Sequence, residues 1–389
     1  MLQPDLLRND MPTFVAIRQD LHRHPELGLA EHRTSDLVAR ELASYGYAVH
    51  RGLAGTGVVA TLANGSGRRT VGIRADIDAL PILEETGVPY TSATPGVMHA
   101  CGHDGHTAML LAAAKSLADR RNFDGTVHLI FQPAEETVGG ARIMVEEGLF
   151  ERFPCDAVYA LHNDPTRPLG QFAFRAGPIM AAVDEALITV QGRGGHGAEP
   201  EHTRDPIVAG AAIVGALQTI VARNVAATDL AVVTVGAFHA GSVSNVIPDR
   251  ATLLVGVRTF DPAIRDGIEQ RIGEIARGQA ASFGLEARVD YTRSYDATVN
   301  DPDETARVRD LAVRHAGAAA VVDIPKPMMG SEDFCYMLQA RPGTYFFLGT
   351  GRPDRPSAGL HHPGFDFNDD ALPIGASFWV TLVEDVLRP

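Results

Sequence analysis

Residues 99–106 read His-Ala-Cys-Gly-His-Asp-Gly-His, which sets five potential metal ligands into eight positions. Thiolate, imidazole and carboxylate donors together suit a transition ion such as zinc or manganese better than calcium or magnesium. A folded site draws ligands from elsewhere as well, so this stretch constrains the fold: distant segments must be carried to it.

Three other segments offer such ligands. Glu135-Glu136 follows the apolar run Thr126–Gln132 and Pro133. Adjacent carboxylates in an extended or turning segment point different ways. One can bind an ion while its neighbour faces water, a division that suits metal-assisted hydrolysis: the ion lowers the water's pKa to around 7 and the carboxylate accepts its proton. His162 ends the apolar run Ala157–Leu161, and His361-His362-Pro363 lies near the C-terminus. Each of these alone reads more simply as a solvated or hydrogen-bonded residue. Together, Cys101, His103, Glu136, His162 and His361 make five candidate ligands. That exceeds one tetrahedral site and suggests two ions, with Cys101 as a candidate bridge. His99, Asp104 and His106 are then left to support or orient the site.

Other positions are weaker. Asp78, in Arg74–Pro81, is equally a carboxylate that orients a ligating histidine and a turn residue before Pro81. His196 lies in the glycine-rich loop Gly192–Ala198, which lets backbone approach a ligand. It can donate to a developing oxyanion, although the loop alone reads more simply as a connector. Asn245 can hold a substrate carboxylate and Arg258 can be its charge partner; otherwise both are strand-edge polars. Ser331 is expected to cap a helix. Cys155 and Cys335 read as buried small hydrophobes, and His22 and His24 as structural residues at a helix end marked by Pro25 and Gly28.

With 389 residues, 45% hydrophobic and 21% charged, the chain is expected to form two soluble domains. A net charge of −14 without a basic run argues against nucleic acid or an anionic membrane as partner. No apolar stretch is expected to span a bilayer. Met1–Phe14 is broken by Pro4, Asp5, Arg8, Asn9, Asp10 and Pro12, so no secretory h-region is expected. Three scattered cysteines make no disulfide framework and point to the cytoplasm.

The first half alternates helix-like segments (Pro12–Leu21, Arg33–Tyr45, Thr107–Ala118) with strand-like ones (Gly57–Leu62, Thr70–Asp76, Thr126–Gln132, Ala157–Leu161). That pattern predicts an α/β domain with a mainly parallel sheet, its active groups at strand C-termini. Residues 184–291 then read strand, helix, strand, strand, helix, strand, the ferredoxin-like order. The expectation is an α+β domain of residues 183–296 inserted into a metal-binding catalytic domain of residues 1–182 and 297–389.

The stretches Arg74–Pro81, His99–His106, Gln132–Glu136, Ala160–Asn163 and Gly330–Phe334 resemble the aminoacylase/carboxypeptidase G superfamily of metallo-amidohydrolases. More closely, they are similar to its branch of hippurate hydrolases, N-acyl-L-amino-acid amidohydrolases and auxin-conjugate hydrolases. The resemblance spans essentially the whole chain, and Cys-Gly-His-Asp-x-His is specific to that branch. It implies a zinc-peptidase-like catalytic domain holding two divalent ions, of manganese, zinc, cobalt or nickel. The inserted domain is then a lid that builds a homodimer or dimer-based tetramer. By position, the implied ligands are Cys101, His103, Glu136, His162 and His361, with Glu135 as general base. His196 matches a lid histidine that reaches a neighbouring subunit's site, and Asn245 a lid asparagine associated with substrate. His362 beside His361 departs from the usual Leu-His-Asn-Pro or Leu-His-Ser-Pro. The implied reaction is hydrolysis of the amide of an N-acyl amino acid. A dipeptidase or carboxypeptidase on the same scaffold, or a silent metal-dependent binding protein, is the alternative.

Overall fold

The computed structural model describes residues 10–352 and 358–388. Residues 1–9, which carry part of the stretch read as lacking an h-region, lie outside it, as do 353–357 and 389. The chain divides into two compact units. One comprises the residues up to Ile179, Thr298–Pro327 and Asp333 onward; the other comprises Met180–Ala297 with Met328–Glu332.

The first unit is built on an eight-stranded sheet. Its order is Ala48–Leu53, Gly57–Asn64, Gly125–Gln132, Thr70–Asp76, Ala157–Pro168, Gly343–Gly351, Phe172–Phe174, Val321–Asp323. The four strands from Gly125–Gln132 to Gly343–Gly351 run parallel. They are buried almost end to end, as strands covered on both faces must be. The helix His103–Arg120 is buried without a break from His103 to Ala114, the mark of a core helix. It packs with Met11–Arg23 and Leu372–Val386.

Parallel register brings strand ends together, with Asp76 opposite Gln132 and Phe347 opposite His162. Two local expectations shift here. The helix expected from Thr107 begins at His103, because Gly102 at φ 95° turns the chain into it. A Cβ at Gly102 would lie 2.5 Å from Asn163 Oδ1, so only glycine fits. The strand expected to end at Leu161 runs to Pro168, since pairing with Gly343–Gly351 continues past Leu161. His162 therefore sits within a strand, which fixes its direction.

The second unit has an antiparallel sheet in the order Ala231–Ala240, Arg250–Thr259, Ala182–Gln191, Glu286–Tyr295. The helices Pro206–Thr219 and Pro262–Ser282 complete the ferredoxin-like arrangement. Its bounds differ from residues 183–296. Met180 bridges Met328, and Ala181 N donates to the carbonyls of Met328 and Gly330, which ties 328–332 to this unit. The expectation that no apolar stretch could span a bilayer also needs correcting. Pro206–Asn224, 19 residues, is long and apolar enough by length and composition. Ala209, Ile213, Leu217 and Ile220 bury one face of it in the unit's core, each larger side chain contributing about 1.5–3 kcal/mol. The opposite face carries exposed Ile207 and Val208, so apolar side chains also remain on its outer side.

Candidate metal centre

Three segments that leave the parallel strands meet the start of the helix His103–Arg120. After Thr70–Asp76 comes Asp78, which is buried. His103 Nδ1 lies 3.0 Å from the Asp78 carbonyl oxygen and 3.1 Å from its Oδ1, so this nitrogen donates and Nε2 is the nitrogen left to meet an ion once its proton is displaced. After Gly125–Gln132 come Glu135 and Glu136, and the Glu136 N–H donates to Asp78 Oδ2 at 3.0 Å. On the third segment, His162 Nδ1 donates to the Asn163 carbonyl at 2.8 Å, which turns its Nε2 to 3.3 Å from Cys101 Sγ. Both imidazoles thus present Nε2.

His361 completes the cluster from the C-terminal segment. Its φ of 62° is left-handed, and its N–H donates to the Ala100 carbonyl at 2.8 Å. That conformation is costly away from glycine and persists where surroundings impose it. It sets His361 Nε2 3.2 Å from Glu136 Oε1. His362 instead accepts from Gly364 N at 2.9 Å; both histidines are exposed, so it is this bond and not burial that separates them. Donor atoms of Cys101, Glu136 and His361 lie within 4.8 Å of one another, as do those of His103, Glu135 and Glu136.

These residues fit a cation. His103 Nε2 and Glu136 Oε1 are buried with no hydrogen-bond partner among the described residues. Glu136 Oε1 is near His361 Nε2 but off the line of a hydrogen bond. Buried polar atoms are rarely left so. The electrostatics agree. Burial holds the Cys101 thiol well above its usual range, reinforced by Glu136, Glu135 and Asp76. Burial would discharge His103, yet Asp76, Asp78 and Glu136 overcome it and push its pKa up to about 10. Burial, then His106, drives His162 well below its ordinary value. The carboxylates thus demand positive charge, which a divalent ion supplies while releasing the thiol proton.

A second layer fixes this geometry; the sequence alone assigns His106 a supporting role but does not single out Arg74, Gln132, Asp76 or Asp333. Arg74 is buried and donates to Gln132 Oε1 (2.6 Å), Asp76 Oδ2 (2.7 Å) and Asp333 Oδ1 (3.0 Å). His106 lies between Asp76 Oδ1 (2.5 Å) and Asn163 Oδ1 (2.7 Å). Burial opposes charge on Asp76, but His103, His106 and Arg74 outweigh it and hold its pKa well below normal. His22 is structural, as expected. It sits 2.8 Å from Asp104 Oδ2 and 3.2 Å from Glu84 Oε1, tying the first helix to the His103 turn.

The remaining candidates belong to the second unit. His196 pairs with Val246 in a two-stranded ribbon, and Gly197 N donates to the Asn245 carbonyl at 2.8 Å, so His196 and Asn245 are neighbours and both are exposed. Arg258 lies apart from them on the four-stranded sheet, half-buried, and donates to Ser331 Oγ at 3.2 Å. Ser331 is therefore not a helix cap: the next helix is Cys335–Ala340 and begins without a side-chain cap.

The profile of Peptidase family M20/M25/M40 matches residues 72–385. Hippurate hydrolase of Campylobacter jejuni is 41% identical over 375 residues, covering 96% of this chain and 97% of that protein. N-acetyl-L-cysteine deacetylase of Bacillus subtilis is 40% identical over 94% of this chain and 86% of its own. The crystal structure of the Bacillus subtilis YXEP protein, a dinuclear metal binding peptidase from the M20 family, superposes with a TM-score of 0.83. It is 33% identical and covers 98% of this chain and 99% of its own. On its sequence, its fold and its relatives, the chain belongs to Peptidase family M20/M25/M40.

Proposed function

We propose that the chain is a metal-dependent amidohydrolase that cleaves N-acyl amino acids to a carboxylate and a free amino acid. The observation that carries this reading is the pairing of a second buried carboxylate, Glu135, with the ligand-like His103 and Glu136, their donor atoms within 4.8 Å. A binding site needs ligands but no spare base.

Cys101, His103, Glu136, His162 and His361 are assigned as the residues that would hold two divalent ions, Cys101 as a thiolate. Bound there, two divalent ions would supply polarisation of the amide carbonyl and a water of lowered pKa, about 7. Glu135 takes the water's proton and returns it to the leaving amine. Asp78 aligns His103 through its carboxylate and Glu136 through the backbone N–H. In the second unit, His196 is assigned to the oxyanion and Asn245 to the substrate carboxylate, while Arg258, apart from both and bonded to Ser331, is assigned only as a further charge partner for substrate.

The second unit is read as a lid through which a homodimer or dimer-based tetramer forms, which its edge strand Ala231–Ala240 with exposed Phe238 supports. The three cysteines are buried and form no disulfide among the described residues, which supports a cytoplasmic setting. Turnover of the metal-loaded protein on N-acetyl and N-benzoyl amino acids, compared with unblocked dipeptides, tests the reading. Higher kcat/KM on the acylated substrates is expected; preference for free dipeptides overturns it in favour of a peptidase.

A further inference from the structure

Glu31 precedes the helix His32–Ser44 but does not cap it. That task falls to Glu26, whose carboxylate accepts from the N–H groups of Arg33 (3.0 Å) and Thr34 (2.8 Å). Glu31 is instead wholly buried. Its Oε2 accepts from Thr56 Oγ1 at 2.6 Å and its Oε1 from Ala134 N at 2.9 Å. Ala134 is buried and left-handed, at φ 54°, a conformation that costs a residue other than glycine about 1–3 kcal/mol. Its carbonyl accepts from Gly140 N at 3.1 Å, so the peptide groups on both sides of Ala134 are held. The next two residues are Glu135 and Glu136, and between them Asp78 Oδ2 takes the Glu136 N–H. Two buried carboxylates therefore grip the backbone on either side of the Glu135 position.

We propose that Glu31 is a positioning residue for the hydrolysis: by accepting the Ala134 N–H it keeps that residue left-handed and so aims Glu135 and Glu136 into the site. This rests on the reading of Glu135 as the base. Without the acceptor, Ala134 relaxes toward its ordinary negative φ of about −60°, a rotation of more than about 100° just before the glutamates. A misplacement of about 1 Å is enough to cost up to about 10²-fold in rate. Burial pushes the Glu31 carboxyl above its usual pKa, so an uncharged acceptor should serve in its place.

The test compares Glu31→Ala, Glu31→Gln and Glu135→Gln as metal-loaded full-length proteins, with kcat, KM and bound metal per subunit measured. Glu31→Ala is expected to lose about 10- to 100-fold in kcat per metal-loaded site with KM little changed. Glu31→Gln keeps an oxygen for Ala134 N and should stay within about fivefold of the parent. Parent-like kcat in Glu31→Ala overturns the proposal, as does an equal loss in Glu31→Gln, which would assign the effect to charge. If Glu31→Ala does not fold, Glu31→Asp carries the test: its carboxylate stops one methylene short of Ala134, so kcat should fall, and an unchanged kcat overturns the proposal. Glu135→Gln separates the two readings. Retained turnover there removes Glu135 as base, whereas an inactive Glu135→Gln beside a fully active Glu31→Ala removes only the positioning role.

Discussion

At the scale of the residue, the site divides labour between neighbours identical in chemistry. Glu135 and Glu136 are both glutamates, yet Glu136 is drawn toward His361 and His103, and burial's upward pull on its pKa is outweighed by them. Glu135→Gln keeps size and hydrogen-bonding shape while removing the proposed base. It should bind both ions as the parent does and lose roughly 10²–10⁴-fold in kcat. Elemental analysis alongside initial rates checks this, and a fully metal-loaded variant with near-parental rate rejects the assignment. His361 and His362 divide in the same way, and there the backbone decides: left-handed His361 reaches Glu136, while His362 is occupied by Gly364 N.

At the scale of the element, the helix His103–Arg120 delivers His103 and His106 from one turn, and its placement depends on small residues. A Cβ on Gly105 would meet the ring of Phe367 at 2.4–2.6 Å, and that ring is itself buried. Gly105→Ala should therefore destabilise by about 1–3 kcal/mol through overpacking. Because Gly105 lies between the two histidines, metal affinity should weaken as well. Thermal unfolding in chelator and metal titration measure the two effects; no change in either would mean the ring yields without moving the helix. The helix start and the strand through His162 were both misplaced by a reading of periodicity alone. A glycine at φ 95° and a long-range strand pairing set those boundaries, and neither leaves a local hydrophobic pattern.

At the scale of the whole molecule, buried histidines of opposite tendency set the pH range of stability. Burial opposes charge on His22, but hydrogen bonds to Asp104 and Glu84 push its pKa up to about 9 from 6.5. Its contribution is complete below pH 6.5 and is lost as the pH rises through about 9. His128 and His315 are depressed to about 4 by burial, so between pH 6.5 and 4 the unfolded chain takes up protons that the folded one refuses. Stability then falls as acid is added. The expected maximum is near pH 6.5, with His22→Gln making the alkaline limb shallower without removing it, since the contribution of His103, raised to about 10, is lost over the same range. Urea unfolding of the metal-free protein across this range tests it, and an alkaline limb unchanged in His22→Gln would refute the role of His22.

The sequence by itself determined the chemistry of the ligands, the alternation that makes an α/β domain and the strand–helix order of the inserted unit. Residue type carries the first, and burial periodicity carries the others. What it left open are groups whose identity is ordinary and whose surroundings are not. Glu31, Asp76 and Arg74 look like any charged residue along the chain, and Ser331 looks like a helix cap. Tertiary structure buries the first three and sends Ser331 to Arg258 instead. Burial and long-range pairing depend on distant segments, 259 positions apart for Arg74 and Asp333, so only the assembled fold decides which ordinary carboxylate becomes part of the centre.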